Sequence, residues 1–195
     1  MNIAILDTGC SNLFSVKWSI IRLGYNPIIT RVPEILFKSD KLLLPGVGTA
    51  KIAMQQIYKS ELIDLIKNYK KPILGICLGM QLLGNKSDEG NINTLGLFDI
   101  PVSILKSKKL PLPHVGWNKV IHNKDNILFQ GIPNNSWFYF VHSYSMKINK
   151  YTIAYSTYGV KFSSAIYKKN IFGVQFHPER SGKNGSKLIQ NFLEI

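Results

Sequence analysis

Gly75-Ile76-Cys77-Leu78-Gly79 follows the apolar run Pro72-Ile73-Leu74, and His177-Pro178-Glu179 follows the apolar run Ile171 to Phe176 about a hundred residues later. The first segment has the form of a nucleophile elbow, with Cys where the hydrolase pattern has Ser. A sharp strand-to-helix turn lifts such a side chain out of a sheet, and glycines on either side spare the turn a Cβ clash. The second segment sets an imidazole and a carboxylate at alternate positions after another strand. A nucleophile, a base and a group that orients the base are what acyl transfer needs. Cys77, His177 and Glu179 are therefore the candidate catalytic residues. A thiol attacks as thiolate, and a free Cys, with a pKa of ~8.5, is mostly protonated at neutral pH. The start of the helix expected after Cys77 favours the anion, His177 can take the proton, and Glu179 stabilises the charged ring.

Pro45-Gly46-Val47-Gly48 closes another apolar run. Glycines there expose main-chain N–H groups that can face a developing oxyanion, and the N–H of Leu78, just after the nucleophile, is the usual second donor. Cys10 lacks any such context and is expected to be structural. His122 lies among Asn and Lys and is expected to face solvent. His114 and His142 fall in polar patches within apolar surroundings, and no histidine pair has the close spacing of a zinc site, so no metal is expected.

The elements that must hold these groups read as an α/β fold. Asn2 to Asp7 is a strand, a turn-like stretch follows, and a helix runs from Leu13 until Gly24 stops it. Further strands are Asn26–Thr30, Leu42–Leu44 and the run into Cys77, with a helix from Leu78 to Leu83. The stretch 85–93 reads as a polar surface loop. After it come shorter strands at 102–105, 118–121, 138–141, 152–155 and 164–167, close enough in sequence to add antiparallel strands at one edge. The last helix spans about 184–193. The expected architecture is an open, mostly parallel central sheet flanked by helices with antiparallel edge strands, in a single domain covering residues 1–195.

Composition narrows the class. With 195 residues, 45% of them apolar, the chain can bury a sizeable core. No apolar run approaches the ~18 residues of a membrane span, and no secretory signal is visible at the start. Two cysteines are too few for a disulfide framework, which points to a reduced, cytoplasmic setting. The net charge of +13 raises nucleic acid as a partner, but it comes almost entirely from dispersed Lys, with only Arg22, Arg31 and Arg180 as arginines. A solvated basic surface is the expectation, with no nucleic-acid or membrane partner and no cofactor.

The elbow continued by Met80-Gln81-Leu82-Leu83, the Pro-Gly-Val-Gly turn upstream and Gln175-Phe176-His177-Pro178-Glu179 downstream resemble the class I, triad-type glutamine amidotransferases. Leu112-Pro113-His114-Val115-Gly116-Trp117-Asn118 and Tyr139-Phe140-Val141-His142-Ser143-Tyr144 are similar, more narrowly, to the glutaminase subunits of imidazole glycerol phosphate synthases. The likeness runs from Ile5 to Leu193. It implies that Cys77 attacks the side-chain amide of glutamine, that His177 protonates the departing ammonia, and that a glutamyl thioester is hydrolysed. It further implies an oxyanion hole from the N–H groups of Val47 and Leu78, and substrate contacts from Gly48, Gln81, Ser143 and Tyr144. The ammonia would pass to a cyclase subunit of (β/α)8-barrel type in a heterodimer, with Asn12, Trp117, Tyr139 and Arg180 at the subunit interface. That cyclase would close the imidazole ring in histidine biosynthesis and release aminoimidazole carboxamide ribotide.

The chain departs from the family pattern at Thr8, where Tyr is common, at Ser11, where Gly is common, at Arg180, where Lys is frequent, and at Thr49-Ala50, where a bulkier apolar residue often stands. Rival readings are another class I glutaminase subunit, against which the His-x-Gly-Trp-Asn segment argues, and a γ-glutamyl hydrolase or other Cys-His peptidase, which shares the elbow. An RNA-binding domain has no RNP-like or KH-like motif behind it.

Overall fold

A computed structural model describes residues 1–9, 13–107, 109–122 and 126–195. Cys10, Ser11 and Asn12 lie outside the described residues, and with them the structural reading of Cys10 and the interface reading of Asn12.

The amino-terminal half alternates strand and helix: β1 (Ile3–Leu6), α1 (Leu13–Ile21), β2 (Ile28–Thr30), α2 (Pro33–Lys38), β3 (Lys41–Gly46), α3 (Ala50–Lys59), α4 (Ile63–Asn68), β4 (Ile73–Cys77) and α5 (Leu78–Leu82). Nine further strands follow among the described residues: β5 (Lys86–Ser87), β6 (Ile92–Asn93), β7 (Pro101–Ile104), β8 (His114–His122), β9 (Ser136–His142), β10 (Tyr144–Met146), β11 (Thr152–Tyr158), β12 (Val160–Lys168) and β13 (Ile171–Val174), of which β8 and β12 run to nine residues where shorter strands were expected. The helix α6 (Gly182–Glu194) closes the chain.

The main sheet has nine strands in the order β2-β1-β3-β4-β13-β12-β11-β8-β9. The first five pair in parallel and the rest antiparallel, so the expected α/β sheet is present with its antiparallel strands at one side. Strand 102–105 does not join that edge. It lies as β7 in a second sheet of order β10-β7-β5-β6, whose two-residue strands occupy the stretch read as a surface loop. Strands that short carry no alternation to detect in a polar sequence. The helix α2 was also not expected; Pro33 starts it at a position where the missing N–H costs nothing.

Side-chain alternation explains the layers. Ile3, Ile5, Leu43, Leu74 and Ile76 enter one core cluster with Val16 and Ile20 of α1 and Leu188 and Phe192 of α6. Their neighbours Ala4, Leu6, Leu42, Leu44 and Ile73 enter a second cluster with Ile57 of α3, Ile66 of α4 and Met80 of α5. The parallel strands are covered on both faces, which is why they read as unbroken apolar runs.

Candidate active site

Strand register brings the chemistry together. β3 pairs with β4 so that Gly46 stands opposite Cys77, which places Val47 and Gly48 beside the elbow. β13 pairs with β4 so that Val174 stands opposite Ile76, and the chain leaving β13 therefore passes Cys77 at Gln175 and reaches His177 two residues later. Both segments end at the carboxyl edge of the parallel strands, the usual place for a site in an open α/β sheet.

Cys77 adopts φ 54° and ψ −110°, a conformation that side-chain-bearing residues rarely occupy. The flanking glycines serve the turn by close approach: a Cβ on Gly79 would run into the Leu44 carbonyl, and one on Gly75 would come within 2.8 Å of Met80 N. The positive φ falls on the cysteine itself. In the upstream turn it is Gly48 that takes φ 96°, where a side chain would be strained.

His177 and Glu179 lie behind the sulfur, both side chains almost wholly buried. Nδ1 of the imidazole donates to Oε1 of Glu179 at 2.8 Å, which fixes the tautomer and leaves Nε2 for the nucleophile. Nε2 is buried on the side of the Cys77 sulfur, which interacts with the ring. Burial alone would push the ring's pKa down, but the Cys77 sulfur and the Glu179 carboxylate outweigh it and carry the pKa up to about 10. The segment is pinned from outside. The His177 N–H donates to the Tyr139 carbonyl at 2.8 Å, and the Ser181 hydroxyl donates to the His177 carbonyl at 2.6 Å.

A cleft of about 290 Å³ opens over Cys77. Val47, Gly48, Leu78, Gln81, Ser143 and Tyr144, all read from the sequence as oxyanion or substrate residues, line it. Glu89 also lines it and was not foreseen. It comes from the stretch read as a surface loop, and nothing in that polar sequence marks it as the acidic residue turned inward. One of its carboxylate oxygens accepts the Ala50 N–H at 2.7 Å, at the start of α3, while Thr49 caps the same helix by accepting from Ile52 N. The family departure at Thr49-Ala50 thus falls on a helix cap.

Three residues read as interface positions form one group. Trp117 and Tyr139 are cross-strand partners on β8 and β9 with ring centroids 6.0 Å apart, and the Arg180 guanidinium lies 5.5 Å from the Tyr139 ring. Trp117 is about half exposed and Arg180 exposed. The histidines hold a second surprise. The same β8–β9 register puts His114 opposite His142, 28 residues apart in sequence, with His114 Nδ1 and His142 Nε2 3.1 Å apart. Both are buried, and so is His122, which was expected to face solvent but stacks on Phe129.

Comparison with known proteins gives the arrangement its context. A family described as glutamine amidotransferase class-I matches residues 4–195. The subunit HisH of imidazole glycerol phosphate synthase from Escherichia coli strain K12 is 55% identical over the whole of both chains. The corresponding subunit of Yersinia pseudotuberculosis is 54% identical, also over the whole of both. Among solved structures, a putative GMP synthase component from Thermoplasma acidophilum superposes with a TM-score of 0.77 at 22% identity, covering 100% of this chain and 92% of that one. PurLQS from Thermotoga maritima gives 0.77 at 20% identity, covering 99% and 97%.

Proposed function

The chain belongs to the class-I glutamine amidotransferase family and acts as the glutamine amidotransferase subunit of an imidazole glycerol phosphate synthase, and we propose that it works through Cys77, His177 and Glu179 as a thiol glutaminase. The single observation that carries the mechanism is the buried Nδ1–H to Glu179 bond behind a cysteine held at φ 54° at a strand end. It leaves the imidazole with one nitrogen for the sulfur, inside a cleft sized for a small substrate.

The Cys77 thiolate attacks the side-chain amide carbon of glutamine, and the carbonyl electrons move onto oxygen. The N–H groups of Val47 and Leu78 hold that oxyanion. His177 gives its proton to the amide nitrogen, the C–N bond breaks, and ammonia leaves a γ-glutamyl thioester on Cys77. Water then attacks the thioester while His177 takes its proton, and glutamate and thiolate are released. Gly48, Gln81, Ser143 and Tyr144 place the substrate, and the Glu89 carboxylate supplies a counter-charge for its α-ammonium group.

Ammonia in water becomes ammonium and loses the lone pair that synthesis needs. A heterodimer with a (β/α)8-barrel cyclase, docked through Trp117, Tyr139 and Arg180, shelters it. We place this single catalytic domain in histidine biosynthesis in the cytoplasm, where a thiol nucleophile stays reduced. The test is synthesis by the complex with the cyclase, supplied with glutamine or with ammonium salt. Cys77→Ala loses glutamine-dependent synthesis and keeps the ammonia-dependent reaction. A Cys77→Ala complex that still uses glutamine would remove the thiol mechanism.

A further inference from the structure

One backbone carbonyl decides the orientation of two side-chain amides that end at the nucleophile. The Gln81 amide lies 2.9 Å from the Tyr144 carbonyl oxygen. A carbonyl only accepts, so the Gln81 atom there is Nε2. Its other N–H meets the Gln175 side chain at 3.1 Å, and the atom that receives it is Oε1. That leaves Gln175 Nε2 as the atom 3.8 Å from Cys77 Sγ, where it can only donate.

The Tyr144 carbonyl is itself held from a second side. His142 Nδ1–H donates to it at 2.9 Å, which makes His142 Nε2 the acceptor of the His114 Nδ1–H at 3.1 Å. His114 Nε2 then faces the Asn118 amide at 3.4 Å. Gln81, Gln175, His114 and His142 are all buried. No amide or ring in this run can flip without stranding a buried polar group, which costs ~1–3 kcal/mol each time. The sulfur also lies 3.6 Å from the Val141 carbonyl oxygen, an acceptor that repels a thiolate.

We propose that Gln175 is a catalytic residue of the glutaminase reaction: its side-chain N–H donates to the Cys77 thiolate and offsets the Val141 carbonyl, in an orientation that Gln81, His142 and His114 enforce. The inference rests on reading Cys77 as the nucleophile. A neutral thiol has little to gain from an amide donor at that distance, whereas an anion strengthens and shortens the contact. Gln175 thereby acts directly on the reacting atom.

The test uses the full chain with Gln175→Met, which keeps the length and removes the donor, and Gln175→Glu, which puts negative charge beside the sulfur. Alkylation of Cys77 by iodoacetamide is followed across pH by mass spectrometry of the Cys77 peptide, and glutamine turnover is measured in the complex with the cyclase. Gln175→Met is expected to alkylate about tenfold more slowly near pH 7, the low end for a hydrogen bond to a charged group. Its midpoint moves to higher pH, and kcat falls by a similar factor with KM little changed. Gln175→Glu moves the midpoint further up. Variants that melt like the parent and match its alkylation profile and kcat, while Cys77→Ala is inactive, would overturn this inference and leave the nucleophile in place. Turnover by Cys77→Ala would overturn both. If neither Gln175 variant folds, the side-chain amide resonance of Gln175 in the unaltered chain decides: it moves through the alkylation midpoint on this account, and a resonance that stays fixed there refutes it.

Discussion

At the scale of single residues the site is a set of groups held where they would not rest alone. A cysteine at φ 54° and ψ −110° carries ~1–3 kcal/mol of local strain. The strain persists because Gly79 lets α5 sit directly on the Leu44 carbonyl, so the chain has no roomier path from β4 into the helix. His177 is held protonated against its burial by the Cys77 sulfur and Glu179. Its folded pKa of about 10 lies above the ordinary 6.5, so the stability it contributes is complete below pH 6.5 and lost as pH rises through about 10. In the proposed mechanism the charged ring also has a proton ready for the departing nitrogen. His177→Asn is expected to lower kcat by about 10²–10⁴ and to abolish the imidazole-linked limb of the pH–rate profile of thioester formation. Glu179→Gln costs less, since the glutamine carbonyl still accepts the Nδ1–H. Equal, small effects in both variants would refute the division of roles. These residues were legible in sequence because each triad motif is local: a glycine-flanked Cys after one strand, and His-x-Glu after another. Glu89 was not, because its inward turn depends on the second sheet, whose strands are too short to leave a pattern.

At the scale of elements, register does most of the positioning. The pairing of β3, β4 and β13 places Gly46, Cys77 and Gln175 side by side, and apolar runs of three to six residues made those strands readable. The pairing of β8 with β9 was not readable, since nothing local says that His114 faces His142. That pair has a measurable consequence. Burial pushes the His114 pKa down to about 4, and burial together with the neighbouring His114 and His177 pushes His142 down to about 3, against the Tyr144 carbonyl that favours its charged form. Folded values below the ordinary 6.5 mean that the unfolded chain binds more protons in that range. The stability these histidines contribute is complete above pH 6.5 and is lost as pH falls through about 4 and 3. The melting temperature should therefore drop by several degrees between pH 6.5 and 4.5. His142→Asn keeps a donor for the Tyr144 carbonyl and cannot be protonated, so it flattens that slope, whereas His142→Leu lowers stability at every pH. Parallel slopes for the parent and the Asn variant would contradict the assignment.

At the scale of the molecule, two features adjoin the candidate site. The group of Trp117, Tyr139 and Arg180 adjoins the triad segment through the His177 N–H and Tyr139 carbonyl bond, so a partner seated there touches the backbone that holds the imidazole. The Gly48 turn can hold its N–H groups toward or away from the oxyanion at small cost, and one lost donor is worth roughly 10²–10³ in rate. The lone chain is accordingly expected to be a poor glutaminase that wakes when a ligand-loaded cyclase docks. The most direct test of the whole account is an acid quench of the protein turning over glutamine, alone and with cyclase and its ribonucleotide ligand, followed by mass spectrometry of the Cys77 peptide. The account predicts a γ-glutamyl group on Cys77, scarce in the lone chain and abundant in the loaded complex. Rapid glutamine turnover with no adduct on Cys77, or with the γ-glutamyl group on another residue, would contradict it.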